Sequence, residues 1–428
     1  MQEKKTDRIR LRYIGLAGLI GAVLFLVLAA GSLIRSSKAA QEAMANGTIE
    51  NASESGAPSG EATEEGAVTA ADGAAVDGAA ATDAAAGTAS DGTATRTATA
   101  DGTANGTTTT AAGTTGGSAP VTVKISAAGD FTLGNDDTLD YDTSFNYYYD
   151  EVAGYPGYFL ENIKSIFEDD DLTIVNFEGT LTDGGERADK EYAFKGRPEF
   201  VQVLTEGSVE ACNVANNHAF DYGEEAYQET KQHLTDAGIT VFGYDNSKVV
   251  EVNGIKVGLI GYMELYEGLG CLEKVNTEIE KVREQGAQLI IVTYHWGDEG
   301  AYHHYEDQET LGHAAIDAGA DLVIGHHSHR IQEMEEYKGK YIFYSLANCC
   351  FGGHPNPSDM DSFIMQQTFT FIDGKLQPKK DEDVRIIPYR ISSTSEYNNY
   401  QPTPYDRDED GFNRVIEKVK GTWSTESD

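Results

Sequence analysis

Cysteine is scarce in this chain. Four occur in 428 residues: Cys349 and Cys350 are adjacent, and Cys212 and Cys271 sit in or near apolar runs. Adjacent cysteines would close a strained ring, so no disulfide framework is visible and the fold must rest on its core. Basic residues are also few, 32 Lys and Arg against 70 Asp and Glu, for a formal net charge of −38. That balance argues against nucleic acid as a partner and suits a protein working beside an anionic polymer or cell wall. Aromatics and large aliphatics nearly vanish between Ala39 and Ala119, where Ala, Gly, Thr and Ser dominate. Such a stretch cannot bury enough apolar area to offset its backbone entropy, so a flexible acidic tether is expected. Histidine is missing from the first half: all ten lie after about residue 215.

One long apolar run exists, Tyr13 to Ile34, about 22 residues without a charge and enough to span a bilayer core of roughly 30 Å. Lys4, Lys5, Arg8, Arg10 and Arg12 precede it, so the N-terminus is expected in the cytoplasm and the remainder outside. An uncleaved single-pass anchor is favoured, because the run exceeds the usual signal h-region of about 7 to 15 residues and Arg35 and Lys38 follow it. Small residues from Ser37 to Ala40 keep a cleaved signal peptide as the alternative. The expected organisation is a basic N-terminus at 1–12, a membrane helix at 13–34, a tether at 35–120, one folded domain at 121–390 and a tail at 391–428.

From Val121 strand and helix patterns alternate. VTVKISAAGD, LTIVNFEGT, VEACNVANN, ITVFGY, IKVGLIGY, QLIIVTYH and DLVIGH read as strands. Helices are expected at Gly157 to Asp169, from Pro198, at Glu224 to Ala237, Val275 to Gln285 and Glu306 to Ala318, with a last one at Gly411 to Lys420. Hairpins are expected at Asn253-Gly254, Lys338-Gly339 and Asp373-Gly374. The fold class is α/β, a mixed-sheet sandwich flanked by helices with strand-end loops gathered into one site.

Those strand ends carry Asp130, Glu178, Asn217, His218, His295, His327 and His329. Carboxylate, amide oxygen and imidazole without thiolate suit manganese, iron, zinc or magnesium and argue against a structural zinc knot. Five strand ends are more than one ion needs, so two divalent metal ions are expected. Of His326 and His327, the His-x-His spacing to His329 favours His327. Lys195 and Arg197, in FKGRPEF, are candidates for binding an anionic substrate group. His233, His303, His304, His313 and His354 read as surface or helix residues, and NYYYDEVAGYPGYF as a packed loop or the wall of a polymer groove.

The segments AAGDFTLG, VNFEGTL, NVANNHAFDYG, YHWGDE, GADLVIGHHSHRIQ and YSLAN, in that order, resemble the CapA family of poly-γ-glutamate capsule synthesis proteins. That family is similar to the calcineurin-like metallophosphoesterases, and the likeness covers roughly Val121 to Pro388. It implies a metallophosphoesterase-like four-layer sandwich and a part in making or attaching an anionic polymer outside the cell. By the resemblance, Asp130 and His329 would bind the first ion and Asn217, His295 and His327 the second. Glu178 would bridge them, and His218 would donate the proton. The chain departs from the pattern where Phe131 and Thr132 follow Asp130, because the phosphoesterases place a histidine two residues after that aspartate. Three functions follow, in order: a membrane-anchored capsule-synthesis hydrolase, a non-catalytic assembly component that binds the polymer, its precursor or synthetase subunits, and a general extracellular metallophosphatase.

Overall fold

The computed structural model describes residues 119–424. The anchor expected at 13–34, and the tether up to residue 118, lie outside them. Among the described residues no helix is long and apolar enough to cross a membrane.

The chain opens with β1 (Val121–Thr132), β2 (Leu172–Phe177), the short pair β3 (Thr180–Leu181) and β4 (Lys195–Gly196), β5 (Ala211–Asn213) and β6 (Thr240–Phe242). There follow β7 (Lys248–Val252), β8 (Ile255–Met263), β9 (Leu289–His295), β10 (Leu322–His326), β11 (Ile331–Tyr337) and β12 (Lys340–Leu346). The last strands are β13 (Asn348–Phe351), β14 (Asp361–Ile372), β15 (Lys375–Leu376), β16 (Val384–Arg390) and β17 (Thr403–Pro404). The principal helices are α1 (Phe145–Glu151), α2 (Val201–Glu206), α3 (Gly223–Asp236), α4 (Cys271–Glu284), α5 (Glu306–Ala318) and α6 (Asp410–Val419).

One sheet runs β17-β16-β14-β1-β2-β5-β6, with β13 beside β1 and β15 beside β14; the other runs β11-β12-β10-β9-β8-β7. β1, β2, β5 and β6 are parallel, as are β8, β9, β10 and β12. β9 and β10 are buried at every position, as expected of strands covered on both faces. Ile125, Ile174 and Ala211 of the first sheet share a core with Val257, Ile291 and Ile324 of the second, so the sheets pack face to face. Phe145, Leu204 and Leu234, from α1, α2 and α3, cover the first sheet's outer face against Val175 and Cys212. Val275, Ile279 and Leu311, from α4 and α5, cover the second against Val292 and Ile342. Each buried Val, Leu, Ile or Phe among them contributes roughly 1.5–3 kcal/mol. All four cysteines are free and buried.

The helix expected at Gly157 to Asp169 is broken. A 3-10 turn at Pro156–Tyr158 and a four-residue helix at Lys164–Phe167 are separated by turns. Phe159, Ile163 and Phe167 are nevertheless all buried. The apolar spacing identified the inward positions, while the chain between them closes with short bonds such as Ile163 N–H to the Leu160 carbonyl. Beyond residue 391 the chain is folded onto the domain. α6 packs on β16 and β11 and sends Val415 and Val419 into the core between the sheets. Its buried Lys418 lies 2.8 Å from Asp361 Oδ2 and 2.6 Å from Asp359 Oδ2, and Arg414 grips both oxygens of Asp361.

Candidate metal centre

Parallel strands end on one side, and their register sets the neighbours. Asp130 stands opposite Asn176 of β2 and Asn348 of β13, Asn176 opposite Asn213 of β5, and His295 of β9 opposite His326 of β10. β1 comes this close to the loop after β12 because residue 129 is glycine: a Cβ there would lie 2.2 Å from the Ala347 carbonyl oxygen. That carbonyl accepts the Asp130 N–H at 2.9 Å. After β10 the chain bends through His327 at φ 93° and His329 at φ 53°, conformations that cost non-glycine residues energy and cluster at functional sites.

The bend brings two groups of donors together. Ligand-type atoms of Glu178, His295 and His327 lie within 4.8 Å of one another, and so do those of Asp130, Glu178 and His329. Glu178 belongs to both. It is fully buried, and its Oε2 accepts the Thr132 hydroxyl at 3.1 Å. Its Oε1 has no hydrogen-bond partner, although His295 Nε2 lies 3.6 Å away and His218 Nε2 3.9 Å. Asn217 Oδ1 sits 2.8 Å from His295 Nε2. Asp130 turns Oδ2 toward His329 Nδ1 at 3.5 Å, while Oδ1 accepts Asn176 Nδ2 at 2.8 Å and faces His326 Nδ1 at 3.2 Å.

Burial dominates the electrostatics. It holds His295 well below the ordinary imidazole value and, with the charge of His329, lowers His327 to about 3. It pushes Glu178 well above the usual carboxylate range, and the neighbouring Asp130 adds to that. Asp130 is also raised by burial, but the hydrogen bond and charge of His326 and the charge of His329 outweigh it and leave the carboxyl low. His295 and His327 are therefore neutral beside a buried carboxyl group with an unbonded oxygen. These residues fit a divalent metal: His295 and His327 are already in their ligating form, and a cation would satisfy Glu178 Oε1.

His218 sits beside this cluster. Its Nδ1 is 2.6 Å from Asp221 Oδ2, and the Phe194 ring lies against its ring, tilted by 32°, with centroids 4.3 Å apart. Asp221 thereby fixes the proton on Nδ1 and aims Nε2 at Glu178. Burial lowers the His218 pKa against the upward pull of Asp221, so the resting imidazole is neutral and its Nε2 carries a lone pair. To donate a proton there, His218 must first take one up.

All of these side chains fall inside the stretch that matches known proteins. The sequence model of the family described as "Bacterial capsule synthesis protein PGA_cap" matches residues 124–353. The chain belongs to that family. It is similar to the "PGA biosynthesis protein CapA" of Bacillus subtilis (strain 168), at 33% identity over 214 residues, 45% of this chain and 56% of that protein. It is also similar to the "Capsule biosynthesis protein CapA" of Bacillus anthracis, at 30% over 220 residues, 45% of this chain and 54% of that one. A "probable polyglutamine synthesis accessory protein" of Mycobacterium tuberculosis (strain ATCC 25618 / H37Rv) is 29% identical over 220 residues, 43% of this chain and 58% of its own. The chain thus spans about half the length of the curated relatives it matches.

Within the family region, the residues expected to act together are brought together: Asp130, Glu178, Asn217, His218, His295, His327 and His329. Lys195 and Arg197 make their contacts elsewhere. Lys195 lies 3.4 Å from Asp137 and over the Tyr222 ring, and Arg197 pairs with Asp150 at 2.8 Å and Glu199 at 3.7 Å. Of the aromatic stretch, Tyr149 packs against Phe200 and Phe159 against Phe145, while Tyr155 remains exposed. Sequence reasoning gave no role to Asn176, which bridges Asp130 and Asn213, to Asn348, whose Oδ1 holds His329 Nδ1 at 2.8 Å, or to Lys190. Asn176 and Asn348 sit at strand ends, where polar residues amid apolar runs were the available signal. Lys190 lies in a loop that carried none.

Proposed function

We propose that this protein acts in making or attaching a poly-γ-glutamate capsule, as a hydrolase that holds two divalent ions in a metallophosphoesterase-like four-layer sandwich. The carrying observation is the unpartnered, fully buried Oε1 of Glu178, shared between the two donor groups. Relatives named for PGA and capsule biosynthesis support the biological setting. In this reading Asp130 and His329 hold one ion, Asn217, His295 and His327 the other, and Glu178 both. When bound, such ions lower the pKa of a water and stabilise negative charge developing on a phosphoryl or carbonyl oxygen. The chain's own part is orientation and proton transfer. Asn176 and His326 hold Asp130, Asn348 holds His329, and Asp221 aims His218 Nε2 at the reacting side of Glu178, where it moves the leaving group's proton. Residues 13–34 anchor the protein in the cell membrane and the acidic tether holds the domain outside, beside the anionic polymer or its precursor and the synthetase subunits.

The test is elemental analysis of the purified full-length protein, followed by turnover of aryl phosphoesters and γ-linked oligoglutamates. Close to two ions per chain, lost in His327→Ala, with metal-dependent turnover of one substrate class, is the expected result. A second reading, a non-catalytic component that binds polymer or synthetase, is favoured by Thr132, which stands two residues after Asp130, where the resemblance to the phosphoesterases implies a histidine, and whose hydroxyl bonds Glu178. Metal-loaded protein that binds oligoglutamate and turns over neither class would select it.

A further inference from the structure

The connection from β3 to β4, residues 182–194, contains no helix or strand. Two basic side chains nevertheless fix it to buried carboxylates. Arg187 Nη2 reaches Asp136 Oδ2 at 2.6 Å, and Lys190 Nζ reaches Asp221 Oδ1 at 2.8 Å. The Ala193 and Phe194 N–H groups donate to the same two carboxylates, each at 2.6 Å. Lys190 also donates to the main-chain carbonyl of Asn217 at 3.0 Å, and its Nζ lies 3.2 Å from His218 Nδ1. One ammonium therefore spans the turn that carries a proposed ligand, Asn217, the proposed proton carrier, His218, and that residue's orienting partner, Asp221.

Its donors are directed into the protein rather than toward open space, which separates it from a substrate-binding lysine. The carboxylate beneath it has two other donors, Phe194 N–H and His218 Nδ1, so removal of the ammonium leaves Asp221 hydrogen-bonded. The Asn217 carbonyl has no comparable substitute from that loop. Its release frees the peptide that aims the Asn217 side chain at His295.

We propose that Lys190 is a positioning residue that fixes the Asn217–Asp221 turn, holding the Asn217 amide oxygen toward His295 and His218 toward Glu178. The proposal rests on the metal-centre reading above. An outer partner of this kind typically changes metal affinity by roughly 10–100-fold when removed.

The experiment is a titration of chelator-treated, full-length protein with Co²⁺, followed by visible absorption. Wild type, Lys190→Met and Lys190→Arg are compared, with His327→Ala as the control that loses binding. Lys190→Met is expected to take up one Co²⁺ at least tenfold more weakly and with altered bands, and Lys190→Arg to recover most of the wild-type spectrum. Melting of the metal-free proteins reports whether each variant folds, and Lys190→Gln replaces Lys190→Met if the latter does not. A wild-type titration curve and spectrum in the folded Met or Gln variant overturns the positioning role and leaves the metal centre standing. A wild-type protein that takes up no Co²⁺ overturns the metal centre itself, and this role with it.

Discussion

Replacing Glu178 by glutamine separates a metal-binding carboxylate from one that merely packs. The amide is isosteric and keeps an oxygen that accepts the Thr132 hydroxyl, now at 3.1 Å from Oε2. It removes the charge shared by both donor groups. In metal-free protein burial disfavours that charge and leaves one oxygen of the carboxyl group unbonded, an arrangement that costs about 1–3 kcal/mol. Glu178→Gln is therefore expected to melt at or above the wild-type temperature in chelator. With free metal at about 100 times its dissociation constant, each site adds roughly 2.7 kcal/mol to wild type. At an unfolding entropy of about 2 cal/mol/K per residue, a domain of roughly 300 residues gains about 4 °C per ion, or about 8 °C for two. The variant should gain under about 2 °C, so the order of stability reverses between chelator and Mn²⁺. Differential scanning calorimetry of both proteins in both buffers is the assay. A variant that keeps the full metal-induced shift, or that melts well below wild type in chelator, would refute the assignment of Glu178.

Three further outcomes are expected. His218→Ala should lower turnover by about 10²–10⁴-fold while metal content stays at the wild-type level, because His218 faces Glu178 without belonging to either donor group; intact turnover would remove it as the proton carrier. Asp361→Ala should destabilise the domain by about 3 kcal/mol in urea denaturation, since it leaves Lys418 and Arg414 without their shared anion. Burial raises the Asp361 pKa, but Arg414 and Lys418 hold it below the ordinary value; its contribution is thus complete above about pH 4 and lost as pH falls through the lowered native value. Asp170 behaves oppositely. Burial raises it to about 7 although Thr173 donates to it at 2.7 Å, so folding binds a proton and stability falls as pH climbs from about 4 to 7. Asp170→Asn should gain on wild type across that window and hold a constant advantage above it, about 1–2 kcal/mol after allowance for solvent screening of this partly exposed group; a pH-independent difference would count against the assignment.

The strand ends were legible because parallel strands buried on both faces leave continuous apolar runs, and a polar residue closing such a run is conspicuous. LIIVTYH announced His295 and DLVIGH announced the bend at His327 in this way. The pairing of side chains across strands was not legible, because register is set by contacts distant in sequence. Asn176 lies one residue inside a buried strand and gives no sign that it will meet Asp130 from β1 and Asn213 from β5. Lys190 was hidden for a different reason: a lysine in a Gly- and Asp-rich loop reads as solvated, and only the folded chain shows its path to Asp221. FKGRPEF drew attention by its local charge, yet Lys195 and Arg197 are matched by Asp137 and Asp150, roughly 50 residues earlier, and by Glu199 within the same segment.

All four cysteines are free, so the two sheets are held by their common core and by non-covalent ties, to which a metal centre would add. Asp130, Glu178 and Asn217 come from the first sheet's strands and their following loops, His295, His327 and His329 from the second's, so an ion held by both sets bonds one sheet to the other. α6 makes a second tie. Arg414 and Lys418 grip Asp361 at the start of β14 in the first sheet, while the same helix packs on β11 in the second. Metal binding energy at such a centre is then stability of the sandwich, not only of the site. It follows that chelation should loosen the seam before the sheets themselves. Hydrogen exchange on metal removal is expected to rise first at the ends of β9 and β10 and in residues 213–221, with the β14–α6 contact still protected. Uniform loss of protection across both sheets would show that the ions support the whole fold and that the second tie contributes little on its own.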